Sequence, residues 1–198
     1  MIHTARRQEG VGNHSWVLPV VIIKDPYHWM VSNCRHAYFL YENDKDHCPN
    51  VVDWNNTKEK IPTSFSVPYA KEKRRYSSLV HLWNSWYQEY EQQSALYPVI
   101  FIRFEDLLFY SEYVIRELCG CIGGEPPRTL GGFHFLEESA KKVGAHAGAN
   151  GFLDALLRYG NPDKRLEGWT IRDWEYARDY LDRNLMEKFS YRFPSMSF

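Results

Sequence analysis

The sequence predicts an α/β fold in which a parallel sheet is flanked by helices. Two short runs of apolar, mostly β-branched residues, 17–23 and 99–102, have the length and composition of buried strands in such a sheet. A helix start follows the first run at once, which gives the strand–turn–helix unit of α/β folds. Later segments carry apolar residues at three- and four-residue steps, which indicates helices packed on a common core.

The composition is that of one folded domain spanning residues 1–198. Hydrophobic residues make up 44% and charged residues 25% of the chain, which argues against disorder. The formal net charge is −1, whereas a non-specific nucleic-acid binder usually has a large excess of basic residues, so no nucleic-acid partner is expected. No apolar run approaches the roughly 20 residues of a membrane span. The oligomeric state stays open.

Local signals define the first strand and helix. Pro19 places the start of the strand after it, because proline cannot donate a hydrogen bond within a sheet. Asp25 is a favourable N-cap and Pro26 a favourable first helical residue, so a helix is predicted from there to about Tyr41. Residues 42–70 show no sustained period and are predicted to be irregular.

Further helices are predicted along the rest of the chain. Helical periods begin near Arg74 and near Ser111, and a third helix is predicted over residues 151–159. Thr170 and Asp173 form a capping-box pattern that opens the last helix. The inner face of that helix is marked by Trp174, Ala177, Leu181, Leu185 and Phe189. Two strands are fewer than the about five or six of an average sheet, so the sheet is small or partly encoded elsewhere.

The four cysteines show no C-x-x-C pair, so neither a zinc site nor a redox motif is predicted. Cys34 and Cys48 can form a disulfide in an oxidising compartment, a question that the sequence leaves open. Cys119 and Cys121 are expected to be buried small hydrophobic residues. No metal site is predicted.

Residues 20–26, Val-Val-Ile-Ile-Lys-Asp-Pro, place a cation where a strand ends and a helix begins. Ligands bind at the carboxyl ends of strands in open α/β sheets, and a helix N-terminus favours anions. Ser32 lies about two helical turns after Lys24, and Arg35 follows one turn later. Taken alone, this pattern also fits a solvated lysine and an ordinary helical serine.

Two later segments are considered together with residues 20–26. Residues 100–108 read Ile-Phe-Ile-Arg-Phe-Glu-Asp-Leu-Leu, and residues 157–170 form a basic, glycine-containing stretch that ends in Gly-Trp-Thr. In this order the three segments resemble the sulfotransferases that use 3′-phosphoadenosine 5′-phosphosulfate (PAPS). The resemblance covers most of residues 17–190. It implies a P-loop-NTPase-like fold, a three-layer parallel sheet flanked by helices, here incomplete at its N-terminus.

The resemblance assigns roles to the first two segments. Lys24, where the family more often has arginine, and Ser32 are implied to hold the 3′-phosphate of the nucleotide. Phe104, in place of the usual tyrosine, is implied to lie near the adenine. Glu105 and Asp106 are expected simply to begin a helix and to pair with Arg103.

The resemblance also assigns roles later in the chain. Lys164 and Arg165, with Arg158 next, are implied to close a basic loop over the 3′-phosphate, and a solvated charge run is the alternative. Phe135 or Phe133 is implied to stack on the adenine.

The family's loop for the 5′-phosphosulfate is not found upstream of Lys24. His3, within Met-Ile-His-Thr, falls near the place of the family's general base, and its type of side chain suits proton removal near neutral pH. His14 is a second candidate. A terminal histidine without a role is the alternative, because chain ends fray.

The resemblance implies transfer of a sulfuryl group from PAPS to a hydroxyl or amine of a small-molecule or carbohydrate acceptor, without a metal. The alternative is a non-catalytic nucleotide-binding remnant or a truncated fragment. A P-loop kinase-like transferase would need G-x-x-x-x-G-K-[ST], which the sequence lacks. The tryptophan-rich helix and the Cys34/Cys48 stretch are more similar to algal and other protist members of the family than to the animal cytosolic enzymes. The Golgi lumen is expected if the full-length protein has an N-terminal anchor, and the cytoplasm otherwise.

Overall fold

The computed structural model describes residues 17–35, 47–53, 59–60, 62–67, 74–125 and 151–195. Within these ranges the chain forms a mixed α/β structure. It contains a two-stranded parallel sheet, a two-stranded antiparallel sheet and seven α-helices. The prediction of an α/β fold is confirmed at this level.

The elements have the following bounds. The strands are β1 (Val20–Ile23), β2 (Phe65–Val67), β3 (Arg74–Tyr76) and β4 (Ile100–Arg103). The α-helices are α1 (Pro26–Arg35), α2 (Leu79–Ser94), α3 (Phe104–Phe109), α4 (Ser111–Cys121), α5 (Gly151–Tyr159), α6 (Ile171–Tyr180) and α7 (Arg183–Lys188). A 3₁₀ helix, Pro162–Leu166, lies between α5 and α6. Across the described ranges, no helix has both the length and the apolar character to traverse a bilayer.

β1 and β4 pair in parallel, so both strands end at the same edge of the sheet. Both predicted strands are confirmed, and β1 begins directly after Pro19 as expected. Val21 and Ile23 are buried, whereas Val20 and Ile22 are 38% and 49% exposed, because side chains alternate between the two faces of a strand. The described elements therefore cover one face of β1 more completely than the other.

The core lies between the covered face of β1 and helices α1, α2, α6 and α7. Its largest completely buried side chain is Trp83, whose indole nitrogen donates to the carbonyl oxygen of Lys24 at 3.2 Å. The hydroxyl of Tyr87 donates to the carbonyl oxygen of Ile22 at 3.3 Å. Helix α2 therefore fixes the backbone at the point where β1 ends.

Helix α1 begins as predicted. Oδ1 of Asp25 accepts hydrogen bonds from the amides of Tyr27 at 2.9 Å and His28 at 3.3 Å, which is the geometry of an N-cap. The described part of the helix ends at Arg35. The predicted continuation to Tyr41 lies outside the described residues.

The predicted helix start at Arg74 is wrong. Residues 74–76 form β3, which pairs antiparallel with β2, so the prediction that 42–70 is irregular is also wrong for residues 65–67. Helix α2 begins only at Leu79, because the hydroxyl of Ser78 accepts the amide hydrogen of His81 at 3.1 Å and caps the helix there.

The single final helix that the sequence predicts is two helices. Thr170 caps α6 as expected, accepting the amide hydrogen of Asp173 at 3.2 Å. Asp182 then starts α7 by accepting the amide hydrogen of Leu185 at 2.9 Å. Leu181 and Leu185 are both buried, so the apolar spacing continues across a break that a second cap creates.

Cys34 at the end of α1 forms a disulfide with Cys48, their Cα atoms lying 5.6 Å apart. The segment that carries Cys48 is also held at its other end. There the buried carboxylate of Asp173 accepts hydrogen bonds from the amides of Val51 at 2.9 Å and Val52 at 3.0 Å. This segment thus connects the end of α1 to the start of α6.

The expectation that Cys119 and Cys121 are buried is wrong. Cys121 is exposed and Cys119 is partly exposed. Both lie on α4, which has no buried residue against the described parts of the chain.

Candidate functional site

A small cleft lies beside the end of β1, on the side of α1. It encloses about 130 Å³. Its lining residues are Lys24, His28, Val31, Ser32, Arg35, Arg158, Tyr159, Lys164 and Glu167. Pockets for drug-sized ligands span about 300–1,000 Å³. The cleft formed by the described residues is therefore suited to one phosphate-sized group of a ligand rather than to a whole nucleotide.

One face of α1 forms one wall of the cleft. His28, Ser32 and Arg35 follow one another at steps of four and three residues, which puts them on the same side of a helix. Lys24 precedes the helix and lies at the end of β1. The structure therefore brings Lys24 and Ser32, which the family resemblance predicts to act together, into one cavity.

The cleft carries an excess of positive charge. Lys24, Arg35, Arg158 and Lys164 face it with one carboxylate, that of Glu167. The ammonium of Lys164 lies 3.3 Å from Glu167, but both side chains are at least half exposed, at 50% and 57%, so this ion pair is weak. The local charge contrasts with the net charge of −1 for the whole chain and makes the cleft a candidate anion site.

His28 contributes a neutral imidazole to this wall. Burial is the largest cause that lowers the pKa of His28, to about 4, and the charge of Lys24 lowers it further, against the opposing effect of Asp25. Neutral imidazole has one donor and one acceptor nitrogen. At neutral pH the residue therefore adds hydrogen-bonding capacity to the cleft without adding charge.

Two aromatic rings surround the ammonium of Lys24. Its Nζ lies 4.5 Å from the ring centre of Tyr159 and 5.0 Å from that of Phe104, and it donates to the Tyr159 hydroxyl at 3.1 Å. Phe104 is not among the lining residues of the cleft. The structure thus places Phe104 beside the candidate phosphate-binding lysine.

Arg165 does not line the cleft, unlike its neighbour Lys164. Its guanidinium pairs with Oδ2 of Asp25 at 2.6 and 2.7 Å, and the two side chains are only 15% and 8% exposed. The other oxygen of Asp25 accepts the first amide hydrogens of α1. The helix N-terminus that was expected to favour an external anion is therefore occupied by this carboxylate, which Arg165 holds in place.

Glu105 links the β1–α1 turn to the C-terminal segment. One oxygen accepts the amide hydrogen of Asp25 at 3.0 Å, and the other lies 2.8 Å from the hydroxyl of Tyr191. Its neighbour Asp106 pairs with Arg103 at 3.7 Å, as the sequence suggests. The acidic pair at the start of α3 therefore has a structural role around the site.

The turn after the 3₁₀ helix makes a close backbone contact. Gly168 has a φ of +87°, and a Cβ atom there would lie 2.4 Å from the carbonyl oxygen of Cys48, so only glycine fits. Lys164 and Glu167 belong to the same stretch. Cys48 contacts this turn and is bonded to Cys34 at the end of α1. The disulfide therefore links the α1 wall of the cleft to the segment that packs against the turn after Lys164.

A second, larger groove of about 490 Å³ runs along β4 and α4. Its cations are Arg103 and Lys188, which pair with Asp106 at 3.7 Å and with Glu91 at 2.9 Å. Because carboxylates balance these two positive charges, the groove attracts an anion less strongly than the smaller cleft does.

Several predicted site residues cannot be placed. His3, His14, Phe133 and Phe135 lie outside the described residues. Within the parts of the chain that the structure describes, no three histidine, cysteine, aspartate or glutamate side chains are grouped to hold a metal ion.

Tyr159 and His28 are not among the site residues predicted from the sequence. His28 lies one turn before Ser32, so helical spacing alone could have included it. Tyr159 contacts Lys24 across 135 residues of sequence, and no local pattern reveals such a contact. No family model, curated protein or solved structure matches the chain. A functional assignment therefore rests on the chemistry of the cleft and on the resemblance of the three segments.

Proposed function

We propose that the chain is a sulfotransferase domain that uses PAPS and binds the 3′-phosphate of this nucleotide in the cleft. The observation that carries the proposal is the meeting of Lys24, Ser32 and Lys164 around one small cavity. Ammonium and hydroxyl groups are donors suited to phosphate oxygens, and hydrogen bonds with a charged partner are stronger than neutral ones. Lys24 and Lys164 come from two of the three segments that resemble the family, and Ser32 lies on the helix that follows the first of them.

The sheet supports the accompanying proposal of a three-layer, P-loop-NTPase-like fold. β1 and β4 are parallel neighbours although about 80 residues separate them in sequence, as in the crossover connections of α/β sheets. The cleft adjoins the carboxyl end of β1, the edge at which ligands bind in open α/β sheets.

The proposed reaction is an in-line transfer. The acceptor hydroxyl or amine attacks sulfur, the bond from sulfur to the oxygen of the 5′-phosphate breaks, and a base removes the acceptor proton. His3 is the candidate base that the sequence offers. Lys24 and Ser32 would hold the far end of the donor, so that its sulfuryl group is positioned for attack.

Calorimetric titration tests the nucleotide site. Wild-type protein should bind 3′-phosphoadenosine 5′-phosphate more tightly than adenosine 5′-phosphate, which lacks the 3′-phosphate. Lys24→Ala and Ser32→Ala should remove most of this difference, roughly tenfold in affinity for Lys24→Ala. Lys60→Ala, which removes an exposed lysine paired with Glu175, is the matched control and should bind like wild type. Equal binding of the two nucleotides by wild type would contradict the proposal.

A nucleotide-binding module without transfer activity is the second candidate. It is favoured by the lining of the cleft, because Lys24, Ser32 and Lys164 suffice to bind a phosphate and none of them would carry out the transfer. Incubation with ³⁵S-labelled PAPS and hydroxyl or amine acceptors separates the two. Labelled product that disappears in His3→Ala supports the enzyme, and nucleotide binding without labelled product supports the module.

A further inference from the structure

The ammonium of Lys24 is enclosed by residues from two helices that lie far from it in sequence. The rings of Phe104, at the start of α3, and Tyr159, at the end of α5, meet edge to face at 5.2 Å with 77° between their planes. Both rings lie within 5.0 Å of the ammonium, and the Tyr159 hydroxyl accepts its hydrogen bond at 3.1 Å. Of these two aromatic residues, Tyr159 alone lines the cleft.

This arrangement compensates for a property of lysine. A lysine side chain is long and flexible and presents a compact charge, whereas arginine presents a rigid planar fork to a phosphate. Two rings and one hydroxyl restrict the ammonium to fewer positions, and each ring attracts its positive charge by a cation–π contact. Lys24 also lines the cleft.

We propose that Tyr159 is a positioning residue that directs the ammonium of Lys24 into the cleft and so sets the preference for a 3′-phosphorylated nucleotide. The inference rests on the proposed function, because the preferred group is the 3′-phosphate. Helix α5 is otherwise largely exposed, and Tyr159 is one of its few partly buried residues. Its ring contacts Lys24, Phe104 and His28, so it packs against the cleft rather than into a general core.

Nucleotide titration of Tyr159 variants tests the inference. Tyr159→Leu should lower the affinity for 3′-phosphoadenosine 5′-phosphate roughly tenfold and leave that for adenosine 5′-phosphate unchanged. Tyr159→Phe keeps the ring but removes the hydroxyl, so it should lose roughly threefold. Tyr113→Leu, which changes a 67% exposed tyrosine on α4, is the matched control and should bind like wild type. An equal loss for both nucleotides would overturn the inference, because a general structural defect would explain it.

A double-mutant cycle separates positioning from direct contact. If Tyr159 acts through Lys24, then Lys24→Met combined with Tyr159→Leu should bind no more weakly than Lys24→Met alone. Additive losses would overturn the inference, because Tyr159 would then act independently of Lys24. Tyr159→Phe decides the question if Tyr159→Leu does not fold.

Pyrophosphate, titrated alongside, separates the failure of this inference from that of the proposed function. If wild type binds pyrophosphate but shows no preference for the 3′-phosphorylated nucleotide, the proposed function fails, and a tenfold weaker binding of pyrophosphate by Tyr159→Leu still supports the role of Tyr159. Equal pyrophosphate binding by wild type and Tyr159→Leu overturns that role. If wild type binds neither probe, both proposals are overturned.

Discussion

Asp25 is the residue on which the geometry of the cleft depends most directly. One carboxylate oxygen accepts the first amide hydrogens of α1, and the other pairs with the largely buried guanidinium of Arg165. Its own amide donates to Glu105. A single side chain thus joins the start of α1 to the 3₁₀ helix, and the two walls of the cleft are carried by these elements.

Replacing Asp25 with asparagine isolates the charge of this residue. Asparagine is an equally good N-cap, so the helix start should survive, but Arg165 would be left as a buried cation without its carboxylate. We expect Asp25→Asn to lower the free energy of unfolding by about 3 kcal/mol or more, measured by urea denaturation. Asp179→Asn breaks an ion pair with Arg178 whose side chains are 46% and 44% exposed, and it should cost less than about 1 kcal/mol. Similar losses in the two variants would contradict the importance of the buried pair.

His28 gives the stability of the protein a defined pH dependence. In the unfolded chain the residue takes up a proton near its ordinary pKa of 6.5, whereas burial delays protonation in the folded chain to about pH 4. Between these values the unfolded state binds more protons, so stability falls as the pH falls. His28→Gln should therefore lose less stability than wild type between pH 7 and pH 4.5, by urea denaturation. Parallel curves for His28→Gln and wild type would refute the assignment.

At the scale of elements, the position of the basic turn depends on one glycine. A methyl group at residue 168 would collide with the carbonyl oxygen of Cys48 and would also strain a backbone with positive φ. Gly168→Ala should therefore destabilise the protein by more than about 1 kcal/mol and weaken pyrophosphate binding. Gly120→Ala is the control, because its added Cβ would meet no described atom within 4 Å outside the adjacent residues and the backbone of its own helix, and alanine favours helix α4. In thermal unfolding, Gly168→Ala should lower the midpoint temperature and Gly120→Ala should raise it. Equal shifts in the two variants would contradict the close contact.

The disulfide is the covalent link between α1 and the segment beneath that turn. It joins residues 14 positions apart, and in the chain-entropy description a loop of about this length stabilises a protein by roughly 3 kcal/mol. Cys34→Ser combined with Cys48→Ser should lower the free energy of unfolding, measured by urea denaturation, by about this amount. Dithiothreitol should shift wild type toward this variant and leave the variant unchanged. The control variant, Cys119→Ser combined with Cys121→Ser, should still be destabilised by dithiothreitol as wild type is. If dithiothreitol no longer affects the control variant, the pairing of Cys34 with Cys48 is contradicted.

Element boundaries could be predicted where a local signal decides them. Asp25 and Thr170 are caps whose chemistry is visible in the sequence, and both begin helices as predicted. The break at Asp182 was missed because the apolar spacing continues through it. The strand 74–76 was missed because its partner, β2, lies in a segment with no sustained period.

The site was predictable only in part for a similar reason. Lys24 and Ser32 share one strand–helix unit, so their common cavity follows from local geometry. The partner of Arg165 lies 140 residues away, and that of Tyr159 lies 135 residues away. The sequence therefore indicated which segments are basic, but it could not separate Lys164, which lines the cleft, from Arg165, which is held by Asp25.

At the scale of the whole molecule, the charge is balanced overall but unevenly distributed. The formal net charge is −1, yet four cations and one carboxylate surround the cleft. A nearly neutral protein steers a charged ligand little over long distances. Attraction of an anion should therefore come from contacts within the cleft itself.

This distribution predicts how salt affects binding. The Debye length shortens from about 30 Å at 0.01 M salt to about 3 Å at 1 M. Because the cations of the cleft are mostly near the surface, calorimetry between about 0.02 and 0.5 M salt should show 3′-phosphoadenosine 5′-phosphate binding weaken roughly tenfold. Arg35→Ala should reduce this dependence, because it removes one of the four cations that face the cleft, whereas Lys60→Ala should not. An affinity that does not change with salt would mean that the phosphates of the nucleotide bind away from the cleft.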